Sequence, residues 1–361
     1  MGNLVGEKIN LEYLNRFKDI SDEVNLILFI SDLRKYTIDY FKRITDFSKE
    51  NWLLERINEY IVYSGKMLRS SFFYLFVLGM IRGNSKDVFD FDYDFWDRLF
   101  TLGAVFELSH SATLVHDDIL DGAKKRRGKD AVHVKFGIDG AIIFGDILII
   151  SVLNKAFEVE PIYSKILMEA LKNMCLGEIL QYQNKFNVFL DEKEYFRILS
   201  LKTGVLFGAI SKIAYHLSCK YLNINYDESI ACRLAEIFDK FGVAFQIVDD
   251  LLDYTQDEKI LKKDSNNDLL SGRVTYPLIV LLSNNDKEKM RKIWLKNPSS
   301  FSGFVRKLIK NNKSIILNSF QKTNEFMDMD SFSEVLNKIN FDSFFGGALR
   351  NLVYSLVNRN Y

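Results

Sequence analysis

The amino-acid sequence predicts an all-α protein, and three observations support that class. The chain has 361 residues but only three prolines, so helices can run for many turns without interruption. Hydrophobic residues make up 48% of the chain, which is enough for a large buried core. Apolar residues recur at helical spacing through most of the sequence.

The apolar pattern predicts individual helices in chain order. The stretch 26–47 predicts a helix whose buried face would carry Ile27, Ile30, Leu33, Ile38 and Phe41. Four further stretches are similarly long and rich in apolar residues, and several of them are apolar nearly all round, which is typical of helices inside a bundle. They are 95–121, 138–157, 162–185 and 227–255. No proline-rich or low-complexity linker divides the chain, so we expect one domain over 1–361, with a more polar C-terminal helical part over 285–361.

The charge balance limits the classes of partner. Lysine and arginine number 48 and aspartate and glutamate 48, so the formal net charge is zero. Such a chain lacks the broad basic field of a nucleic-acid or membrane-surface binder, and we expect no nucleic-acid partner. Two apolar runs, 70–81 and 140–154, are too short to cross a bilayer, so we expect no stable membrane insertion.

The cysteines and the N-terminus indicate a cytoplasmic protein. Cys175, Cys219 and Cys232 are odd in number and have no CxxC spacing, so we interpret them as buried thiols in a reducing compartment. The first residues are charged throughout and contain no signal-peptide core.

Two acidic motifs of the form DDxxD are the most informative feature of the sequence. Each ends a strongly apolar stretch, and their members are Asp117, Asp118 and Asp121, then Asp249, Asp250 and Asp253. The first and last aspartates of each motif lie one helical turn apart, where they repel one another unless a cation lies between them. Oxygen ligands of this kind suit Mg²⁺ bridging to phosphate. One such motif alone would be typical of a solvated helix end, but two apolar walls leading into carboxylates indicate a hydrocarbon substrate with a diphosphate head.

Basic residues flank these motifs where a diphosphate would need them. Lysine and arginine side chains bind phosphate oxygens directly. Each basic group alone resembles an ordinary surface patch. The groups are Lys66 with Arg69, the run 124–127, Lys202, and Lys262–Lys263 with Arg273.

These segments resemble the trans-isoprenyl diphosphate synthases, the head-to-tail prenyltransferases, and most closely their long-chain polyprenyl branch. The matching stretches keep the family's order over residues 65–278. They are GKMLR at 65–69, ELSHSATLVHDDILD at 107–121, RRG at 126–128, FGD at 144–146, GEILQ at 177–181, KTG at 202–204, FQIVDDLLDY at 245–254 and DLLSGRVTYPL at 268–278.

The resemblance implies an isoprenoid-synthase-type bundle of about ten core helices around a deep central cavity, usually a homodimer. It also implies an activity, in which an allylic diphosphate ionises, isopentenyl diphosphate attacks the carbocation, and loss of a proton gives a longer trans-polyprenyl diphosphate. Three Mg²⁺ ions held by the two acidic motifs would stabilise the departing diphosphate.

The same resemblance assigns roles to single residues. All six aspartates would bind metal, with Asp249 the direct ligand in the second motif. The isopentenyl diphosphate pocket would consist of Lys66, Arg69, His110 and Arg127. The allylic diphosphate would be bound by Arg126, Lys202, Lys263 and Arg273, with Thr203 and Gln246 near the carbocation; Lys202 would also be catalytic. Arg273 stands at a position that is usually lysine.

Departures from the family pattern fall beside two of these motifs. Ser64 and Ser70 replace a glycine and a proline around the first basic motif. Lys262 and Asn266 replace the glycines of the turn after the second acidic motif, and asparagines can adopt the left-handed conformation that such a turn needs.

Chain length depends on the residues one turn below Asp117. These are Ala112 and Thr113, both small, whereas short-chain members of the family typically have bulky aromatics there. The sequence therefore favours a product longer than C20, with a farnesyl or geranylgeranyl diphosphate synthase as the alternative if Phe144 or Phe207 blocks the cavity. Remoter alternatives are a class I terpene cyclase and a non-catalytic modulatory subunit.

Overall fold

A computed structural model describes residues 21–47, 51–61, 67–255, 267–283 and 287–357, together with Ile9, Leu14, Phe17 and Lys18. Nearly all of them are helical, which confirms the predicted all-α class. The helices are α1 Glu23–Ile44, α2 Trp52–Ile61, α3 Leu68–Gly83, α4 Tyr93–Leu120, α5 Val132–Phe136, α6 Ile138–Val159, α7 Pro161–Gln183, α8 Glu192–Leu199, α9 Val205–Leu222, α10 Glu228–Thr255, α11 Asn267–Leu270, α12 Tyr276–Ser283, α13 Lys287–Lys296, α14 Pro298–Asn311, α15 Lys313–Phe326, α16 Met329–Lys338 and α17 Ser343–Val357, with a 3-10 turn at Val88–Asp90 and a π-helical turn at Ser200–Gly204.

The long apolar helices pack on one another in a closed ring. In this ring α3 contacts α4, α4 contacts α6, α6 contacts α7, α7 contacts α9, and α9 returns to α3, while α10 lies along α9. A second apolar cluster joins α8, the end of α10 and α12–α14. Because α10 contributes side chains to both clusters, we retain a single domain as a proposal.

The four predicted helices are confirmed, as α4, α6, α7 and α10, each within a few residues of its expected ends. More than half of the residues of α4 and α10 are buried, as expected. The expected burial is wrong for α6 and α7, which expose large apolar side chains such as Ile150 and Ile179.

The predicted buried face of the first helix is partly wrong. Ile27 is 67% exposed, whereas Leu26 and Phe29 are buried. The buried stripe runs through Leu26, Phe29, Ile30 and Leu33 at spacings of three and four, and Ile27 lies outside it.

Two other expectations need correction. Cys219 is buried as predicted, but Cys175 and Cys232 are exposed. The apolar run 140–154 belongs to a longer helix, and in the described part of the chain both Ile138–Val159 and Glu192–Leu222 are long and apolar enough to cross a membrane by length and composition alone. The second of these is largely interior, since 67% of its apolar window is buried, against 33% for the first.

A small hairpin follows α4 and is the one sheet in the described residues. Strand β1, Lys125–Arg126, pairs antiparallel with β2, Lys129–Asp130. Arg127 and Gly128 form the turn with φ of 53° and 80°, the left-handed conformation that two-residue hairpin turns require. The hairpin returns the chain so that Arg126 lies back against the end of α4.

Candidate diphosphate-binding active site

The first acidic motif occupies the last turn of α4 and directs its aspartates to two sides. Asp117 and Asp121 lie on one face, as their spacing predicts, and that face looks towards Glu178, Lys202 and Arg273. Arg273 forms an ion pair with Asp121 and donates to Asp268 Oδ1 at 3.1 Å. One guanidinium therefore links the end of α4 to the segment that follows the second motif.

Asp118 points elsewhere. It is 2% exposed and accepts a hydrogen bond from Arg126 Nε at 2.9 Å, with a second, shorter contact to the same guanidinium. In this arrangement the predicted metal ligand Asp118 and the predicted diphosphate ligand Arg126 bind one another. Asp118 Oδ1 thereby holds the Arg126 guanidinium against the end of α4.

The second acidic motif lies near the end of α10. Asp250 is 7% exposed and accepts hydrogen bonds from Tyr195 Oη at 2.7 Å and Gln246 Nε2 at 2.9 Å. Asp253 is also buried and Asp249 is half-buried. Asp268 acts electrostatically on Asp250 as well as on Arg273, so the two acidic motifs and the segment 267–273 form one charged cluster.

Burial leaves two of these carboxylates poorly suited to carry charge alone. Burial, with Glu178 nearby, raises the pKa of Asp117 to about 7. Burial, with Asp268 nearby, raises the pKa of Asp250 to about 7. Groups in this state gain strongly when a cation binds them, because the cation removes the cost of ionisation.

Lys202 and Thr203 lie on the π-helical turn Ser200–Gly204 between α8 and α9. This turn widens the backbone, as such turns often do at functional sites. Lys202 forms an ion pair with Glu178 and donates to Gln181 Oε1 at 2.5 Å. Thr203 donates to Gln246 Oε1 at 3.2 Å, so the two predicted carbocation neighbours contact each other.

Arg69 and His110 form a second group, in which the charge of Arg69 acts on the imidazole. Arg69 is 9% exposed, and its Nε is buried without a hydrogen-bond partner among the described residues. Burial first, and the charge of Arg69 next, lower the pKa of His110 well below its usual range, which disfavours the charged form of the imidazole. The positive charge of Arg127 also acts on both Arg69 and His110. This positive pocket contains an unsatisfied donor and suits an anionic group.

The residues predicted to control chain length lie on α4 below Asp117. Ala112 is fully buried, and the half-buried Thr113 donates its hydroxyl to His110 O at 2.9 Å. Both phenylalanines predicted as possible blocks are buried. The Phe207 ring centre is 5.5 Å from the Arg69 guanidinium, and Phe144 precedes Gly145, which packs against His116 beside Asp117.

Two predicted ligands, Lys66 and Lys263, lie outside the described residues, as do Ser64, Lys262 and Asn266 among the departures from the family pattern. Ser70, which replaces the family's proline, is fully buried at the start of α3. It donates from both its backbone N and its Oγ to Glu107 Oε1, at 2.9 and 3.1 Å. Proline could form neither bond.

Sequence reasoning missed several residues that complete the site. Glu178 and Gln181 both contact Lys202, and their i,i+3 spacing within GEILQ could have revealed a shared helix face. Tyr195 carried no local signal, because its contact with Asp250 joins elements 55 residues apart. Glu107 was visible only as a polar residue in an apolar helix.

The fold and this cluster define an all-α protein with two buried acidic motifs set among arginines and lysines that suit a diphosphate. Residues 50–310 match the polyprenyl synthetase family, and the chain belongs to that family.

Relatives and solved structures agree with this placement. The chain is 33% identical over 194 residues to heptaprenyl diphosphate synthase component 2 of Bacillus subtilis, covering 54% of each chain. It is 37% identical over 185 residues to the geranylgeranyl diphosphate synthase of Methanosarcina mazei, covering 48% of this chain and 53% of that one. The matched region thus spans about half the length of these curated relatives. The fold is similar to that of heptaprenyl diphosphate synthase from Staphylococcus aureus, with a TM-score of 0.77 at 23% identity over 92% of this chain and 99% of that one.

The raised pKa of Asp117 predicts a pH-dependent stability. Its folded value of about 7 exceeds the unfolded value of about 3.9, so the metal-free protein loses stability as the pH rises from about 4 to about 7. Asp117→Asn should therefore raise the Tm of metal-free protein by a few degrees at pH 8, and by less at pH 5.5.

Thermal unfolding followed by circular dichroism in the presence of a chelator measures this difference. Glu236→Gln removes an exposed carboxylate from α10 and is the matched control, for which no change is expected. A lower Tm for Asp117→Asn than for the wild type at pH 8 would contradict the prediction.

Proposed function

We propose that the protein is a Mg²⁺-dependent trans-prenyltransferase that adds isopentenyl diphosphate to an allylic diphosphate and makes a product longer than C20. The observation that carries this proposal is the meeting of Asp117 and Asp121 with Lys202 and Arg273 at the end of α4, joined through Asp268 to Asp250 near the end of α10. Such a site can hold a diphosphate by its charges while the attached hydrocarbon lies along α4.

The donor set fits Mg²⁺. Hard carboxylate oxygens are the preferred ligands, and Mg²⁺ usually takes only one or two of them together with water and substrate phosphate. We propose that Asp117, Asp121 and Asp249 are the main ligands of three ions, with Asp118, Asp250 and Asp253 holding their surroundings. The bound ions would supply electrostatic stabilisation of the departing diphosphate.

The protein's own residues would divide the two substrates between two pockets. Lys202 and Arg273 would bind the allylic diphosphate beside the acidic motifs, with Arg126 held close by Asp118. Arg69, His110 and Arg127 would bind isopentenyl diphosphate, which supplies the missing partner of Arg69 Nε. Thr203 and Gln246 offer oxygens near the carbocation.

We also propose a homodimer formed through α6 and α7. These neighbouring helices expose a row of large apolar side chains, an arrangement that marks protein interfaces. The row comprises Ile138, Ile142, Ile143, Ile150, Phe157, Ile162, Met168, Leu176 and Ile179. A second copy that covers this row would double the 42.0 kDa mass of the chain, as light scattering would show.

All three cysteines are free thiols, which supports a cytoplasmic location.

Turnover by the purified chain tests the proposed activity. With isopentenyl diphosphate, a radiolabelled allylic primer and Mg²⁺, Asp117→Ala and Asp249→Ala should each lower kcat by a factor of about 10² to 10³ or more. The reason is the loss of groups that stabilise the developing charge on the leaving diphosphate. Glu236→Gln should retain wild-type turnover, and circular dichroism checks that every variant is folded. Near-wild-type rates for both aspartate variants at saturating Mg²⁺ would contradict the proposed catalytic role of the two acidic motifs.

Separate KM measurements test the division of substrates. Arg69→Ala should raise the KM for isopentenyl diphosphate much more than that for the primer. Glu107→Gln should do the same to a smaller degree, because Glu107 accepts two hydrogen bonds from Ser70 and so orients the start of α3 next to Arg69. Arg233→Ala, on the exposed side of α10, is the control. Equal effects of Arg69→Ala on both substrates would show that the pockets are assigned wrongly.

Chain length is tested at Ala112. A phenylalanine at this fully buried position would fill the space one turn below Asp117. Ala112→Phe should shift the products towards C15 while the first condensation continues, whereas Ala112→Ser should leave product length unchanged. Chromatography of the dephosphorylated lipids reads the result. Wild-type protein that stops at C15 with excess isopentenyl diphosphate would support the short-chain alternative.

A further inference from the structure

The segment 287–317, which covers α13, α14 and the start of α15, is strongly basic. It contains nine lysine and arginine residues and one acidic residue, Glu288, so its formal charge is +8 in a chain whose total is zero. The basic residues are Lys287, Lys289, Arg291, Lys292, Lys296, Arg306, Lys307, Lys310 and Lys313, and seven of the nine are exposed. We call this the 287–317 surface.

The same surface exposes large apolar side chains. Leu295, Phe304 and Leu317 are 53%, 53% and 57% exposed, and Ile293 and Leu308 are 44% and 38% exposed. They lie away from the buried stripe of each helix, which runs through Met290 and Trp294 in α13, through Phe301, Val305 and Ile309 in α14, and through Ile315 in α15. Basic and apolar groups therefore share the outward faces of three consecutive helices.

The helices that carry these groups pack firmly against the rest of the protein. Trp294 donates from its ring nitrogen to Leu269 O at 2.9 Å and stacks on Phe301 with ring centres 5.0 Å apart. Arg306 donates from Nε to Tyr254 O at 3.2 Å, one residue beyond the second acidic motif. The exposed apolar groups thus stand on a packed scaffold.

We propose that the 287–317 surface binds the face of a lipid bilayer that carries anionic headgroups. Lysine and arginine side chains are attracted to such a surface, and neighbouring apolar side chains can enter the boundary between headgroups and acyl chains. A nucleic acid would satisfy the positive charge but would leave the aliphatic side chains in water. A soluble acidic protein is a further occupant that the test must separate.

This binding is peripheral and requires no helix to cross the membrane. It would bring the candidate active site, which lies beside Tyr254 and Leu269, close to the membrane surface. In combination with the proposed function, on which this last step alone rests, the hydrocarbon product would form next to the lipid phase that can take it up.

Sedimentation of the full-length protein with vesicles tests the proposal without any use of activity. Wild-type protein should bind vesicles of phosphatidylcholine with 30% phosphatidylglycerol and not vesicles of phosphatidylcholine alone. The triple variant Lys292→Glu/Lys296→Glu/Lys307→Glu should weaken binding roughly a hundredfold. The reason is that each basic side chain near an anionic bilayer contributes about a fivefold factor in affinity. Lys165→Glu/Lys193→Glu, which reverses exposed charges on α7 and α8, should bind like the wild type.

A second variant separates bilayer insertion from charge attraction. Leu295→Ser/Phe304→Ser/Leu317→Ser should bind more weakly at 0.15 M salt and should lose the binding that the wild type retains at higher salt. Circular dichroism confirms that each variant is folded. The proposal is overturned if the wild type ignores anionic vesicles, if the Lys165/Lys193 variant loses as much binding as the charge-reversed surface, or if a single-stranded oligonucleotide or a polyglutamate peptide binds the surface more tightly than the vesicles do.

Discussion

The neutralisation of buried carboxylates is the constraint on which the rest of this structure depends. An ionised carboxylate taken out of water costs several kcal/mol unless a cation and hydrogen bonds replace the lost solvation. Asp118 has Arg126, and Asp121 shares Arg273 with Asp268, so three separate segments must meet at one place. Asp117 and Asp250 are balanced less completely, and the pKa of each is raised to about 7. The incomplete neutralisation of these two carboxylates lowers the stability of the metal-free protein, and for the same reason it favours the binding of cations.

Two irregular backbone segments lie where these parts of the chain meet, the π-helical turn and the hairpin after α4. At the π-helical turn, Gly204 approaches Asp239 so closely that a Cβ atom would lie 2.4 Å from the carboxylate oxygen, and a Cβ on Gly242 would lie 2.7 Å from the Cα of Gly204. Two glycines facing one another allow α9 and α10 to come together beside Lys202. In the hairpin after α4, Arg127 and Gly128 both take positive φ, which turns Arg126 back onto Asp118. Departures from regular helix therefore bring cations to the carboxylates.

The class of fold followed from local patterns in the sequence, whereas the candidate site was predicted from the two acidic motifs together with the resemblance to the family. Helical periodicity predicted α4, α6, α7 and α10, and i,i+4 spacing placed Asp117 and Asp121 on one face. Contacts between distant segments left no such pattern. Tyr195 with Asp250 and Ser70 with Glu107 are of this kind, and they join residues 55 and 37 positions apart. The pairing of Asp118 with Arg126 was not foreseen either, because Arg126 reaches it through a hairpin whose two-residue strands give almost no periodic signal.

Net charge was the least reliable of the sequence-level arguments, because a total of zero says nothing about where the charges lie. The segment 287–317 carries +8, so the rest of the chain carries an equal negative charge. Part of that negative charge is buried at the two acidic motifs, where Arg126 and Arg273 form close ion pairs with carboxylates. Seven of the nine basic residues of the 287–317 surface are exposed on α13, α14 and the start of α15, whereas Arg306 is half-buried and donates to Tyr254 O. At physiological salt, charges separated by more than about 8 Å are largely screened from one another, so the outer surface presents its own field. A protein that is neutral as a whole can therefore attract cations inside and anions outside, and the two sites can act independently.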